Sequence, residues 1–257
     1  MPRDGGLIVT DRDQFDGMPM KRPLAGIVDE PMWDSMLWAG LMCASGDLSS
    51  ANAIKDCQTL TGRMWRSPYL KTFMGNSFSR DMALGFMMYA AASGDDETFS
   101  RWVIYLATDD CLCSDATDNR CAITAPIWWQ IDHVRLRRKS PWYLNAYLLA
   151  AALTAKPGYQ LHLIGCHLLL NWQIDGVKSK MIGNVLSRRQ PRNPFFQWLA
   201  DKPVVLPPEP ENSRCIQWAW EREDSEEAWK DSMGWDFQFM RNLMELDGGQ
   251  KVKSATG

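Results

Sequence analysis

Apolar positions fall into two kinds of run, and their alternation predicts the architecture. Residues 32–45 (MWDSMLWAGLMCAS) and 81–93 (DMALGFMMYAAAS) are apolar on nearly every side, as helices buried all round must be. Each ends in Ser-Gly-Asp, where glycine suits a left-handed C′ position and aspartate can cap the next element. The segment after each of these turns is more polar. A helix over 48–62 carries Ala51, Ile54 and Leu60, and the helix after Asp95 places Phe99, Trp102, Val103 and Leu106 at i, i+3, i+4 and i+7. A third, weaker copy predicts a buried helix over 145–159 ending at Pro157-Gly158, followed by YQLHLIGCHLLLNW. Further helices are expected at 178–189, 192–200 and 225–246.

Recurrence of one unit signals stacked helical hairpins. Because the inner helices are apolar all round, an all-α fold closing into an α/α toroid, complete or abbreviated, is favoured over an open array. An irregular helical bundle is the alternative. Residues 1–30, rich in Asp, Gly and Pro, are expected to be an extended arm, 31–247 a single domain and 248–257 a flexible tail. Turns from inner to outer helix are tight, whereas the stretches 63–78, 109–140 and 203–213, which lead into inner helices, are long and are expected as loops. In antiparallel hairpins such loops gather at one end, and long loops in a compact domain usually carry function.

Composition narrows the picture. With 257 residues, 46% hydrophobic and 23% charged, the chain is expected to be a soluble globular protein. A net charge of −3 and a pI near 5.7 provide no global basic field, so neither nucleic acid nor a membrane is expected as partner. No apolar run reaches the ~20 residues that span a bilayer. The N-terminus lacks a secretion-signal pattern, so the chain is expected where it is made or within a larger assembly such as a virion. Seven cysteines, an odd number, argue against an extracellular disulfide framework. Cys111, Cys113 and Cys121 with His133 could hold zinc, but their spacing matches no paired-knuckle pattern. Free thiols or one local disulfide in that loop are the expectation, with no metal and no cofactor. Loops for nucleotide phosphates, H-E-x-x-H and G-x-S-x-G are missing from the sequence, which argues against kinases, dehydrogenases, zincins and ordinary serine hydrolases.

Three features carry a resemblance: the buried helices with Ser-Gly-Asp turns, the aromatic and charged loops at one end, and GNSFSRDMALG (75–85) at the mouth of an inner helix. Together they resemble the α/α-toroid carbohydrate-active enzymes, the six-hairpin glycoside hydrolases and toroid polysaccharide lyases. GNSFSRDMALG is similar to the Ser/Gly-x-x-Arg-Gly stretches that open inner helices in unsaturated-glucuronyl hydrolases, with Asp81 where those have glycine. The resemblance implies cleavage of a polysaccharide or oligosaccharide by carboxylate acid/base hydrolysis, with elimination as the variant chemistry.

On that reading Asp81 and Asp34, equivalent early positions of two inner helices, form the carboxylate pair that glycoside hydrolysis uses. His133 and Asp132, in WWQIDHVRLRR, could transfer protons, since histidine titrates near neutrality. Arg80 and Arg66 would grip an anionic group, while Trp65, Trp128 and Trp129 would stack on sugars. Asp236, inside an apolar stripe of the last helix, completes the candidates. Each has a plainer explanation: Asp81 as a dipole-matched carboxylate in a first helical turn, the tryptophans as core, Asp236 in a salt bridge. Elimination would lean on His133 and a tyrosine such as Tyr89 with an arginine. A non-enzymatic helical structural or interaction protein is the rival function. An all-α terpenoid-type synthase is a weaker one, because Asp95-Asp96 and Asp109-Asp110 sit at turns.

Overall fold

The computed structural model describes residues 14–15, 18–19, 35–66, 68, 78–108, 119–156, 159–191, 193–204 and 235–255. The fold is all-α. A two-residue-per-strand antiparallel ribbon, β1 (Gln14–Phe15) with β2 (Met18–Pro19), lies against the first helix. The helices in order are α1 (Ser35–Ala44), α2 (Ala51–Asp56), α3 (Arg80–Ser93), α4 (Asp96–Leu106), α5 (Ala125–Leu136), α6 (Trp142–Thr154), α7 (Tyr159–Asp175), α8 (Lys180–Arg189), α9 (Pro194–Leu199) and α10 (Trp235–Ala255).

Helix α3 is the centre of the molecule. Residues 81–90 are all buried, matching their apolar character on every side. Ser79 begins the helix in extended conformation, and Gly94 ends it at φ 71°, its N–H bonding the Ala90 carbonyl at 3.0 Å. The most extensive packing in the fold joins α3 to α1, and α7 contacts both. Gly40 and Gly85 allow the first of these contacts: a Cβ on Gly40 would lie 2.0 Å from the Gly85 carbonyl oxygen. The outer helix α4 then closes one side through Phe99 and Trp102, whose rings contact Phe86.

Asn119 ties the chain after α2 to α4. Its Oδ1 accepts from the Met64 N–H at 2.6 Å and the Trp102 indole at 3.1 Å, and its amide donates to the Met64 carbonyl at 2.8 Å. At the other end, α10 is anchored by Asp247, which pairs with Lys178 at 2.7 Å and accepts from the Trp198 indole at 3.2 Å. The Lys178 ammonium also lies 3.8 Å from the centre of the Trp198 ring.

Several boundaries differ from expectation. Residues 48–62 contain only one short helix, because Cys57 begins a turn that returns through a Gln58–Met64 bridge. The expected loop 109–140 contains a helix, α5. Pro126 lies in its first turn, and Ile127, Ile131 and Val134 bury an i, i+4, i+7 stripe. The third copy is also reversed. α7 is the buried helix, whereas α6 buries only Leu144, Leu148 and Ala152 and exposes Trp142, Tyr143, Ala146, Tyr147, Ala150 and Leu153. The final helix extends to Ala255, into the segment expected as tail. No helix among the described residues is long and apolar enough to cross a membrane.

Candidate functional site

A cleft of about 400 Å³ lies between α5, α6 and α7, with the start of α3 at its edge. α6 supplies Tyr147, Ala151 and Thr154, α7 supplies Gln160 and His167, and Arg80 enters from the first residue of α3. A cation at a helix N-terminus is disfavoured by the dipole. Arg80 is exposed, and among the described residues it has no carboxylate partner. The polar cluster before α3 thus presents its cation to a cavity.

His167 is held from behind. Its Nδ1 lies 3.0 Å from Gln130 Oε1, and Gln130 Nε2 donates to Asn171 Oδ1 at 3.0 Å. All three side chains are buried. With its amide hydrogens directed at Asn171, Gln130 presents an acceptor to the ring, so Nδ1 carries the proton and Nε2 the lone pair. Burial pushes the His167 pKa down to about 3, keeping the imidazole neutral near pH 7. His162, one turn earlier and likewise buried, is also pushed down to about 3 and sits against Cys166 Sγ.

Outside the cleft an aromatic run continues from Tyr147. Trp129 meets Tyr147 edge-on with centroids 6.0 Å apart, then Tyr143 at 5.1 Å, and Tyr143 meets Trp142 at 6.0 Å. The prediction that Trp128 and Trp129 would stand on a loop fails, because both are on α5; Trp128 is exposed and Trp129 half-buried within this run.

The remaining candidates are scattered. Asp81 is buried, accepts from the Ser79 hydroxyl and is not among the residues lining the cleft. His133 is buried on α5, with Nε2 3.8 Å from Asp175 Oδ1. Burial holds its pKa below the usual value, against the opposing pull of the Asp175 carboxylate and the Arg138 backbone. Asp132 is exposed on the far side of the same turn. Arg66 is buried, and Trp65 is half-buried with the Arg63 guanidinium 4.3 Å from its ring centre. Tyr89 is wholly buried and donates to Asp95 at 2.5 Å, an outer-helix cap rather than a cleft residue. Asp34, Cys111 and Cys113 lie outside the described residues, as do the side chains of Cys121 and Asp236. Cys43, Cys57 and Cys166 are buried thiols outside any disulfide, and burial raises the Cys43 thiol to about 12. Among the described residues no cluster of three or more metal-ligating side chains occurs.

Sequence reasoning missed His167, Tyr147 and Gln160 as cleft residues. The apolar run LHLIGCHLLL reads as a buried structural helix, which hides His167, and the signal in the sequence is its polar neighbours at a distance, Gln130 and Asn171. No protein-family model matches the chain, and neither a curated protein nor a solved structure matches it.

Proposed function

We propose that the protein is a carbohydrate-active enzyme that binds and cleaves an acidic polysaccharide at the α5–α6–α7 cleft. One observation carries this reading: Arg80, without a carboxylate partner among the described residues, shares a cleft with Tyr147 and His167 at the end of an aromatic run. The guanidinium fork suits a carboxylate, aromatic rings suit the apolar faces of sugars, and Gln160, Thr124 and Thr154 offer hydroxyl-matching groups. A sugar carboxylate held on Arg80 acidifies the adjacent C–H. In elimination that proton is removed as the bond from the next carbon to the glycosidic oxygen breaks, and the oxygen leaves with a proton. Tyr147, which lines the same cleft, is the residue we propose for the proton transfer. This favours elimination over hydrolysis by Asp81 and Asp34. The alternation of α1–α2 and α3–α4 supports an incomplete α/α toroid as the finer architecture.

Purified protein incubated with a panel of uronate-containing and neutral glycans tests the reading. Unsaturated, ultraviolet-absorbing products from acidic glycans are expected; saturated products would move the chemistry back to hydrolysis, and no products from any glycan would overturn it. The exposed apolar face of α6, with Trp142 79% and Leu153 61% exposed, favours a non-enzymatic interaction module as the second reading.

A further inference from the structure

We propose that the turn between α5 and α6 is a binding track that extends the cleft and holds a polyanionic glycan chain; this rests on the function proposed above. Arg135, Arg137, Arg138 and Lys139 place four cations in five positions, and all four are exposed. Among the described residues their one carboxylate partner is Asp96, 3.4 Å from Arg137 and itself 80% exposed. Such an exposed pair is weak and exchanges readily for another anion. The strip stands out on a molecule of net charge −3, so it forms a local positive field on an acidic background.

The aromatic rings supply the second, independent observation. Trp142 lies three residues beyond the strip and presents a large flat face to solvent. From Trp142 the rings pass through Tyr143 and Trp129 to Tyr147, which lines the cleft. The cations thus adjoin, in sequence, an aromatic run whose last ring, Tyr147, lines the cavity that holds Arg80. The arrangement suits a chain of repeated negative charges, one end seated in the cleft and the rest along the turn.

Ring geometry selects a glycan over single-stranded nucleic acid. Successive rings meet at interplanar angles of 75°, 70° and 81°. Bases bind such platforms by stacking on successive aromatic faces, and here no two neighbouring faces are parallel. Sugar residues in a chain rotate from one unit to the next and need only one ring face each.

Isothermal titration calorimetry with three probes tests the track: a polygalacturonate chain, its trisaccharide, and a single-stranded DNA oligonucleotide. The variant Arg135→Ala/Arg137→Ala/Arg138→Ala/Lys139→Ala changes only exposed side chains, and circular dichroism checks its fold. The wild type is expected to bind the polymer more tightly than the trisaccharide, with affinity falling as salt rises. The variant is expected to lose roughly tenfold to a hundredfold on the polymer and little on the trisaccharide. Unchanged polymer affinity in the variant overturns the track while leaving the cleft reading intact. Failure of the wild type to bind either uronate sinks the cleft reading and the track together, and tighter binding of DNA than of polygalacturonate overturns the glycan as partner.

Discussion

Gly40 of α1 and Gly85 of α3 face each other so closely that a methyl group on either would strike the opposing backbone. A Cβ on Gly40 would sit 2.0 Å from the Gly85 carbonyl oxygen, and one on Gly85 would sit 2.3 Å from that of Met36. Neither glycine is chosen for its torsion angles, since both lie inside helices, where glycine costs roughly 0.5–1 kcal/mol relative to alanine. That local cost is offset by the contact of two fully buried helices, whose Met36, Leu37, Met82 and Phe86 are 0–1% exposed.

Substituting either glycine by alanine is therefore expected to destabilise the fold despite the better helix propensity. Overpacking of this kind costs about 1–3 kcal/mol or more. Gly94→Ala is the comparison: its φ of 71° makes alanine strained, but nothing lies within 4 Å of the new Cβ. Its cost is expected to be about 1 kcal/mol, set by the left-handed backbone alone. Urea unfolding of the three variants checks the order, and a Gly40→Ala protein as stable as the wild type would refute the close contact.

Asn119→Ala removes a clamp made by one side chain. Met64 N–H, Met64 C=O and the Trp102 indole all lose their partner, and Asn119 and Trp102 are wholly buried. Each buried polar group left unpaired costs about 1–3 kcal/mol. A loss of roughly 3 kcal/mol or more is expected by chemical denaturation. Hydrogen exchange should quicken at residues 57–66, which the clamp holds to α4, whereas α9 should keep its protection.

Much of this core was legible because burial on all sides writes a simple signal. After Asp81, MALGFMM has no polar position to turn outward, and Ser-Gly-Asp marks the helix end. The same logic failed for WYLNAYLLAAALT, a largely apolar helix of 13 residues that buries only three of them, Leu144, Leu148 and Ala152. Hydrophobicity reports what a helix tolerates, not what covers it. The α5 segment misled in the opposite way. Its paired tryptophans and Arg run masked the Ile127, Ile131, Val134 stripe, so the aromatic cluster was placed on a loop. The cleft itself was not legible, because Arg80, Tyr147 and His167 are joined only by the packing of three helices.

Acid should destabilise the protein through its interior histidines. His162 and His167 have folded pKa values of about 3, against 6.5 for an unperturbed side chain. The unfolded chain thus binds protons first as pH falls. The stability these neutral imidazoles allow is complete above about pH 6.5 and is lost progressively as pH falls towards 3. Each site adds a slope of up to about 1.4 kcal/mol per pH unit in that window. His133 shifts in the same direction. Urea midpoints should therefore drop between pH 7 and pH 5, and a His162→Asn, His167→Asn double variant should show a shallower dependence. A flat wild-type profile across that window would contradict the burial of neutral histidines.

The most exposed consequence of the cleft geometry is the tautomer of His167. If Gln130 Nε2 donates to Asn171, its Oε1 must accept from the ring, and the proton is fixed on Nδ1. A lone pair on Nε2 then makes His167 an acceptor for a ligand hydroxyl in the cleft that holds Arg80. Nitrogen-15 spectra of labelled protein separate a protonated from an unprotonated ring nitrogen. At pH 7, Nδ1 is expected in the protonated range and Nε2 in the lone-pair range. Gln130→Leu removes the acceptor, so it should mix the two tautomers and weaken binding of a uronate trisaccharide. Arg80→Ala should abolish that binding without moving the nitrogen shifts, because the cation and the histidine act on different groups of the ligand. The opposite tautomer in the wild type would mean that both amides are turned over, with His167 offering a donor instead. Binding that survives Arg80→Ala would remove the carboxylate from the proposed ligand.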